Sequence, residues 1–513
     1  WPRPPGRFLL GVCVRLFGMN AHRNGSGPKE PSIVIIGAGF GGLAAAIELQ
    51  RKGHKDITIL ERQSGPGGVW RANSYPGARC DVPSIIYQYS YDLRPDWSRR
   101  FGNQAEICEY LEGVADRNGI TPKIRFNTPV SAAKFNDSTS DWTLTLENGE
   151  EVTADILICA TGQLSNPKTP DVPGIETFAG DVFHSAQWDN SVDITGKRVA
   201  VVGSGASSIQ VVPAIAEQVG HLTLVQRHPN WVVGKIDWAP SSLEKTLGRR
   251  FPFLLRWYHN IMWLYFEARY PLVLRKADPV RRVWEKILRR QIAKRLDDPQ
   301  KAAACTPDYP LGCNRILLSS EWYPTIARQD VSVVNSGVVA VDESGLVCED
   351  GSHVDVDVIV WCTGFTPNEY IAPMEVTGRD GLNLRDAWAN GPEAYLGLVT
   401  HGFPNMFMVY GPNTGSLTNT LVWMFEKQSE WISQALDYLK ARGGGSLEVR
   451  KAVEDDFNRE AQARFSKTVF TAGCPGWYTT DDGKVTGVWL GSHVEYGKRT
   501  AVLDPTIFEP ARS

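Results

Sequence analysis

From Ser32 to Leu60 the chain reads as an apolar run, a glycine-rich turn, a helical stretch and a second apolar run. Ser32–Ile36 predicts a buried strand, Leu43–Lys52 repeats apolar residues at helical spacing, and Ile57–Leu60 predicts the next strand. The same order returns in Arg198–Val202, Ile209–Glu217 and Leu222–Val225. Strands alternating with helices in this way predict an α/β fold with two Rossmann-like dinucleotide-binding domains.

The pattern between and after these units completes the outline. Trp142–Leu146 and Val152–Cys159 predict a β-rich return, with a turn at Asn148-Gly149. A second return is expected at Val354–Trp361. The returns end in Cys159-Ala160-Thr161-Gly162 and Cys362-Thr363-Gly364-Phe365, which we read as crossovers between domains. A Pro-rich connector, Asn166–Gly174, separates the units. We therefore expect a first dinucleotide domain over 31–162 and 366–513, and a second over 163–232 and 306–365. A helical insertion, 233–305, interrupts the second, and Leu421–Leu439 reads as a helix.

Inside the insertion, Arg256–Tyr270 and Val280–Leu296 read as amphipathic helices rich in aromatic and basic residues. The favoured reading is a helical cap whose aromatic stripe packs on the core and whose Lys/Arg face is solvated. Peripheral contact with a membrane surface is the second reading and is not favoured. Arg256, His259, Glu267 and Arg269 interrupt the apolar residues, which argues against a transmembrane helix.

The turns carry the chemistry. The first is Gly37-x-Gly39-x-x-Gly42, with Glu61 at the end of the following strand. The second is Gly203-x-Gly205-x-x-Ser208, whose following strand ends in Gln226-Arg227. Glycines here let the backbone approach a pyrophosphate at the helix N-terminus. A carboxylate at the second strand end accepts hydrogen bonds from a free ribose 2′-hydroxyl and repels a 2′-phosphate, whereas an arginine does the opposite. The first site is thus expected to hold FAD or NAD, and the second NADPH. Together they suggest a flavoprotein that takes a hydride from NADPH. Ser208 departs from the third glycine. It is small enough for close helix–strand packing, and its hydroxyl is a candidate phosphate contact.

Length and composition narrow the classes. At 513 residues the chain exceeds one core. A net charge of −3 gives no reason to expect nucleic acid. Nine scattered cysteines form no CxxC or CxxxxC, which excludes the dithiol centre of flavin disulfide reductases. Their scatter fits a reducing cytoplasm better than a disulfide framework. No HExxH and no GxSxG is present, so neither a metal nor a serine nucleophile is expected. Residues 1–30 are expected to be a flexible segment, with Met19 as the natural start and 1–18 as upstream read-through.

One further segment sets the class. Phe178-Ala-Gly180-Asp-Val-Phe-His184-Ser-Ala-Gln-Trp188-Asp189 resembles the FxGxxxHxxxW(P/D) motif of Baeyer–Villiger monooxygenases. Gly67-Gly68-Val69-Trp70 and Tyr75-Pro-Gly-Ala-Arg-Cys-Asp81 resemble the flavin-side segment of that family. Tyr309-Pro-Leu-Gly-Cys-Asn-Arg315 resembles its catalytic-arginine segment, and Cys474-Pro-Gly-Trp477-Tyr478 the start of its mobile control loop. The resemblance runs from about Pro31 to Gly491.

It implies FAD and NADPH as cofactors, with O2 and a ketone as substrates. NADPH reduces the flavin, a C4a-peroxyflavin forms, and one oxygen enters beside the carbonyl to give an ester or lactone. It further implies that Arg315 stabilises the anionic oxygen species and that Asp81 orients Arg315. A fixed guanidinium suits that task because it does not give up its proton. A structural ion pair is the alternative for these two. His184 alone reads as a core histidine. The resemblance makes it a conformational residue near the domain junction, with Phe178, Gly180, Trp188 and Asp189 around it. Trp477 is implied to close over NADP+, with an ordinary surface aromatic as the alternative.

The family usually has Lys where this chain has Asn314, so we expect NADPH with weaker discrimination against NADH. A charge-assisted phosphate contact contributes about 1.5–3 kcal/mol, so its loss costs roughly tenfold or more. The aromatic-rich insertion and Trp477 and Trp489 favour a hydrophobic ketone. Two other readings remain open: N- or S-oxygenation of amines or thioethers, and a non-enzymatic nucleotide sensor.

Overall fold

The computed structural model describes residues 30–269, 278–366, 368–471, 477–480 and 482–510. The expectation for the N-terminal segment with Met19, and that for Cys474-Pro-Gly of the control loop, lie outside the described residues.

Two five-stranded parallel sheets organise the chain. In the first, strands run in the order Met406–Met408, Ile156–Cys159, Ile33–Ile36, Ile57–Leu60, Ile124–Arg125. In the second the order is Asp181–His184, Val358–Trp361, Arg198–Val202, His221–Val225, Val331–Val334. The two orders are equivalent. Each has an edge strand borrowed from elsewhere in the chain, then the return strand, then the three strands of the fingerprint unit. Ile33–Ile36, Ile156–Cys159 and Val358–Trp361 are buried at every position. Continuous apolar runs are what a parallel sheet covered on both faces demands.

Each predicted return strand is in fact two. Val152–Cys159 splits into Glu151–Ala154, in an antiparallel meander, and Ile156–Cys159, in the parallel sheet. Val354–Trp361 splits likewise into His353–Asp355 and Val358–Trp361. An aspartate stands at each break. Asp155 accepts hydrogen bonds from the backbone N–H and hydroxyl of Ser32, at 2.8 and 2.9 Å. Asp357 accepts from the backbone N–H of Arg198 at 2.8 Å and from its guanidinium at 2.7 Å. In both units the carboxylate satisfies the entry of the first strand. Apolar residues flank the aspartate on both sides, so the pattern alone does not reveal the change of sheet.

The helix after the first fingerprint spans Phe40–Arg51, starting earlier than Leu43. Its first turn is built from the fingerprint's own last residues, so its free N–H groups face the loop. The helix after the second fingerprint spans Ser208–Ile215. Leu421–Ala441 packs along Phe40–Arg51 on the outer face of the first sheet.

The insertion forms the helices Ser242–Arg250, Pro252–Ala268 and Pro279–Arg295. The expectation that their aromatic stripe packs on the core is met in Pro252–Ala268 only by Trp263 and Phe266. In Pro252–Ala268 the buried side carries His259, Met262 and Glu267, and the outward side carries Phe253, Trp257, Leu264 and Tyr265. Glu267 turns inward because it has partners there: the backbone N–H of Val494 at 3.2 Å, Asn419 at 3.3 Å and His493 at 3.3 Å. Among the described residues no helix is long and apolar enough to cross a membrane.

Candidate functional site

The first fingerprint is drawn tight by three close approaches. A Cβ at Gly42 would lie 1.9 Å from the Gly37 carbonyl oxygen, so only glycine fits where the helix starts. A Cβ at Gly68 would lie 2.9 Å from the Cα of Gly39, so two glycines bring the flavin-side loop onto the fingerprint loop. Gly37 leaves its strand with φ +100°, and a Cβ there would lie 2.6 Å from the Ala160 carbonyl oxygen. Buried Glu61 accepts from the backbone N–H of Ala38 at 2.6 Å and of Gln63 at 2.8 Å. These bonds hold its carboxylate against the loop at the end of the second strand. Carboxylate oxygens carry further lone pairs, so a ribose hydroxyl can still be accepted. A glycine cradle that any Cβ would fill, with an oriented carboxylate beside it, fits the adenosine half of FAD.

The second fingerprint repeats the turn. Gly203 leaves its strand at φ +117°, against the Cys362 carbonyl, and nothing lies within 4 Å of a Cβ on Gly205. Ser208 is fully buried in the first helical turn, which suits its packing role. Arg227 is exposed, and among the described residues no carboxylate pairs with it. A free guanidinium at this position fits a 2′-phosphate. Asn314 lies beside Tyr309, whose hydroxyl also donates to Asn230 at 2.7 Å.

Between the two fingerprints the segment Tyr75–Asp81 leans on the second unit's helix. Gln210 accepts from the Tyr75 hydroxyl at 3.0 Å and the Arg79 N–H at 3.3 Å, and donates to the Arg79 carbonyl at 2.9 Å. Gly77, at φ +81°, makes the approach feasible, since a Cβ there would meet the Gln210 carbonyl at 2.5 Å. Trp70 donates to the Tyr87 hydroxyl at 3.1 Å and packs edge-on against its ring.

Asp81 and Arg315, 234 positions apart, form an ion pair: Nε and Nη2 of Arg315 donate to one carboxylate oxygen at 2.9 and 2.6 Å. Protein surrounds the pair deeply, yet the Arg315 side chain is 45% accessible and that of Asp81 28%. The pair is thus held within the fold and still open to solvent. Asp81's charge raises the guanidinium above its ordinary range, outweighing burial. Burial pushes Asp81 up, but the Arg315 charge and hydrogen bonds, with Lys235, hold it below the usual carboxylate range. Both groups are therefore charged together at neutral pH. Tyr410 and Tyr478 face the guanidinium, and burial raises both phenols.

Lys235 was not anticipated. Its ammonium donates to the Cys80 carbonyl at 3.0 Å and sits 4.3 Å from the centre of the Phe101 ring. Burial lowers its pKa, opposed by Cys80, Asp237 and Asp81. Two short parallel strands, Val232–Val233 and Leu317–Leu318, bring Lys235 and Arg315 to the same place. No local motif marks this lysine. Cys313, two residues before Arg315, is disulfide-bonded.

The Phe178–Asp189 segment forms the edge of the second sheet. His184 ends the edge strand opposite Trp361, its Nδ1 accepts from the Ala186 N–H at 3.0 Å, and its ring meets Phe365 edge-on. Burial lowers its pKa, with the Gly364 backbone opposing. Phe178 is half-buried, and a Cβ on Gly180 would lie 2.2 Å from the Asp357 carbonyl. Trp188 packs on Phe183, and exposed Asp189 accepts from Ser191. Trp477 is half-buried beside Gly364, next to the same crossover.

A family model described as flavin-binding monooxygenase-like matches residues 30–371. A Baeyer–Villiger monooxygenase of Streptomyces coelicolor is 40% identical over 482 residues, covering 94% of this chain and 92% of that protein. An oxidised steroid monooxygenase bound to NADP superposes with a TM-score of 0.82 at 33% identity, over 92% of this chain and 97% of that one. The structure of OTEMO with FAD and NADP gives a TM-score of 0.84 at 30% identity, over 93% and 98%.

Proposed function

The chain belongs to the flavin-binding monooxygenase-like family, among its Baeyer–Villiger monooxygenases, and on that premise we propose that Asp81 and Arg315 are the pair on which its chemistry turns. The protein is an FAD-dependent, NADPH-consuming enzyme that inserts one atom of O2 into a ketone to give an ester or lactone. FAD, when bound, carries the reducing equivalents from the nicotinamide to oxygen.

The observation that carries the assignment is the Asp81–Arg315 ion pair, charged, oriented and still open to solvent. Two of the guanidinium's donors are engaged by Asp81. The plane of Arg315 is thereby fixed, so its remaining donors need no reorganisation to meet a developing oxyanion. Lys235 adds a second positive charge beside the pair, which favours anionic oxygen over its protonated form. N- or S-oxygenation needs the protonated species, so this electrostatic setting favours ketones.

The first fingerprint with Glu61, Gly68 and Trp70 is assigned to FAD, and Gly203, Gly205, Ser208 and Arg227 to NADPH. We assign 31–162 with 366–513 to the flavin domain, and 163–232 with 306–365 to the NADPH domain. The pairing of Met406–Met408 with Ile156–Cys159 supports the discontinuous first domain. Phe178, Gly180, His184, Trp188 and Asp189 are assigned a conformational role, and Trp477 a place over the nicotinamide nucleotide. Both lie beside the Cys362–Phe365 crossover, which supports this. A hydrophobic ketone is the proposed substrate class. Among the described residues six buried cysteines are free, which suits a reducing compartment, whereas the disulfide at Cys313 departs from the expectation of scattered free thiols; we place the enzyme in the cytoplasm on the majority.

Arg315→Ala tests the reading. It is expected to keep flavin reduction by NADPH under anaerobic conditions. In air it should lose at least about a hundredfold in ester formed per NADPH consumed, with hydrogen peroxide released instead. Ketone conversion at the wild-type yield would overturn the assignment.

A further inference from the structure

The insertion helix Pro252–Ala268 has a mixed inner side and an apolar outer side. Its inner side is anchored: Met262 packs with Ile85 and Ile86, and Glu267 is held by His493, Asn419 and the Val494 N–H. Its outer side carries Phe253, Leu254, Trp257, Tyr258, Ile261, Leu264 and Tyr265, all exposed. At 3.6 residues per turn these fall within an arc of about 140°. Phe253, Trp257 and Leu264 are 67, 65 and 62% exposed. A contiguous exposed apolar face of this kind marks a contact surface. The preceding helix extends the face with Leu243 and Leu247, and the Phe251–Phe253 ring contact joins the two.

We propose that this face docks on an anionic lipid surface, lying in the interface without crossing it. Charge selects that occupant. Between positions 242 and 295 the sequence has fourteen Lys and Arg against four Asp and Glu, in a chain whose net charge is −3. Among the described residues no carboxylate pairs with Arg250 or Arg256, which border the apolar face. Two copies meeting through this face would bring like charges together, whereas anionic headgroups neutralise them. Trp and Tyr beside Arg is the composition that sits at the boundary between headgroups and acyl chains. No helix among the described residues is suited to crossing a bilayer, which leaves the interface as the site of contact. The inference is independent of which ketone is oxidised.

The test uses the full-chain holoenzyme floated with vesicles of phosphatidylglycerol and phosphatidylcholine in equal parts, and with phosphatidylcholine alone, at low and high salt. Partition is expected to be roughly tenfold or more stronger on the anionic vesicles, and to weaken with salt. Trp257→Ser with Leu264→Ser should lose that binding while keeping FAD content and ketone-dependent NADPH oxidation in solution. Arg250→Glu with Arg256→Glu should lose the preference for anionic lipid. Equal or absent binding to both vesicles, or unchanged binding by the variants, overturns the proposal. So does a dimer, seen by sedimentation without lipid, that the serine pair converts to monomer. That result would assign the face to a second copy of the chain.

Discussion

Glu61 and Arg227 close the second strands of equivalent units with opposite charge, and their surroundings differ accordingly. The Glu61 carboxylate is buried and held by two backbone N–H groups, so its orientation is set before any nucleotide arrives. Arg227 is exposed and, among the described residues, has no carboxylate partner, so its charge is available to a phosphate. Arg227→Ala is expected to raise KM for NADPH about 10- to 100-fold, the equivalent of one charge-assisted phosphate contact. KM for NADH should change by less than about threefold, because NADH lacks that phosphate. Steady-state kinetics with both nucleotides check this, and equal losses for the two would disprove a 2′-phosphate role. Both residues were legible in the sequence because each lies within a few positions of its strand. Lys235 was not, because its neighbours Cys80 and Phe101 are distant in the chain and no spacing rule joins them.

Elements were legible where one environment covers their whole length. Ile57–Leu60 and Arg198–Val202 appear as expected because both are buried at every position but one, Thr58 in the first and Arg198 at the start of the second. The two return segments hide a change of sheet at Asp155 and Asp357, since apolar residues continue on both sides. The helix Leu421–Ala441 was expected from its periodicity, but its period says nothing of Glu426, buried on its inner side. That carboxylate accepts from the Ser90 N–H at 2.6 Å and hydroxyl at 2.8 Å. Burial pushes its pKa up to about 7, against the pull of Ser90. The folded state therefore holds a proton that the unfolded chain has released above its ordinary pKa near 4.5. This stability contribution is complete below about pH 4.5 and is lost as pH rises through about 7. Glu426→Gln should flatten the decline in Tm between pH 5 and 8 and stabilise the protein at pH 8 by up to about 3 kcal/mol. Parallel Tm curves for variant and wild type would show that Glu426 does not titrate in this range.

At the scale of the molecule the site is a junction. Tyr75–Asp81 belongs to the first unit, Gln210 to the second, and Arg315 to the segment after the insertion. Gln210→Ala removes three hydrogen bonds across that junction without touching the ion pair. It is expected to lower kcat roughly 3- to 30-fold by loosening the placement of Asp81, with FAD content unchanged. Loss of FAD, or an unaltered kcat, would count against a positioning role. The exposed insertion helix is also a whole-molecule fact, because the distant partners Asn419, His493 and Val494 draw Glu267 inward and leave the aromatic side outside.

The sequence by itself determined the fold class, the two nucleotide fingerprints, the charge at each strand end and the motifs that place the chain in its family. These are contiguous features, set by local steric and charge requirements that a few neighbouring residues meet alone. Only the tertiary structure decided how Asp81 holds Arg315, through one carboxylate oxygen and two guanidinium donors, that Lys235 joins them, and that an aromatic face looks outward. Those depend on residues far apart in the chain being brought together. Periodicity and composition report what a side chain is, whereas packing determines what it touches.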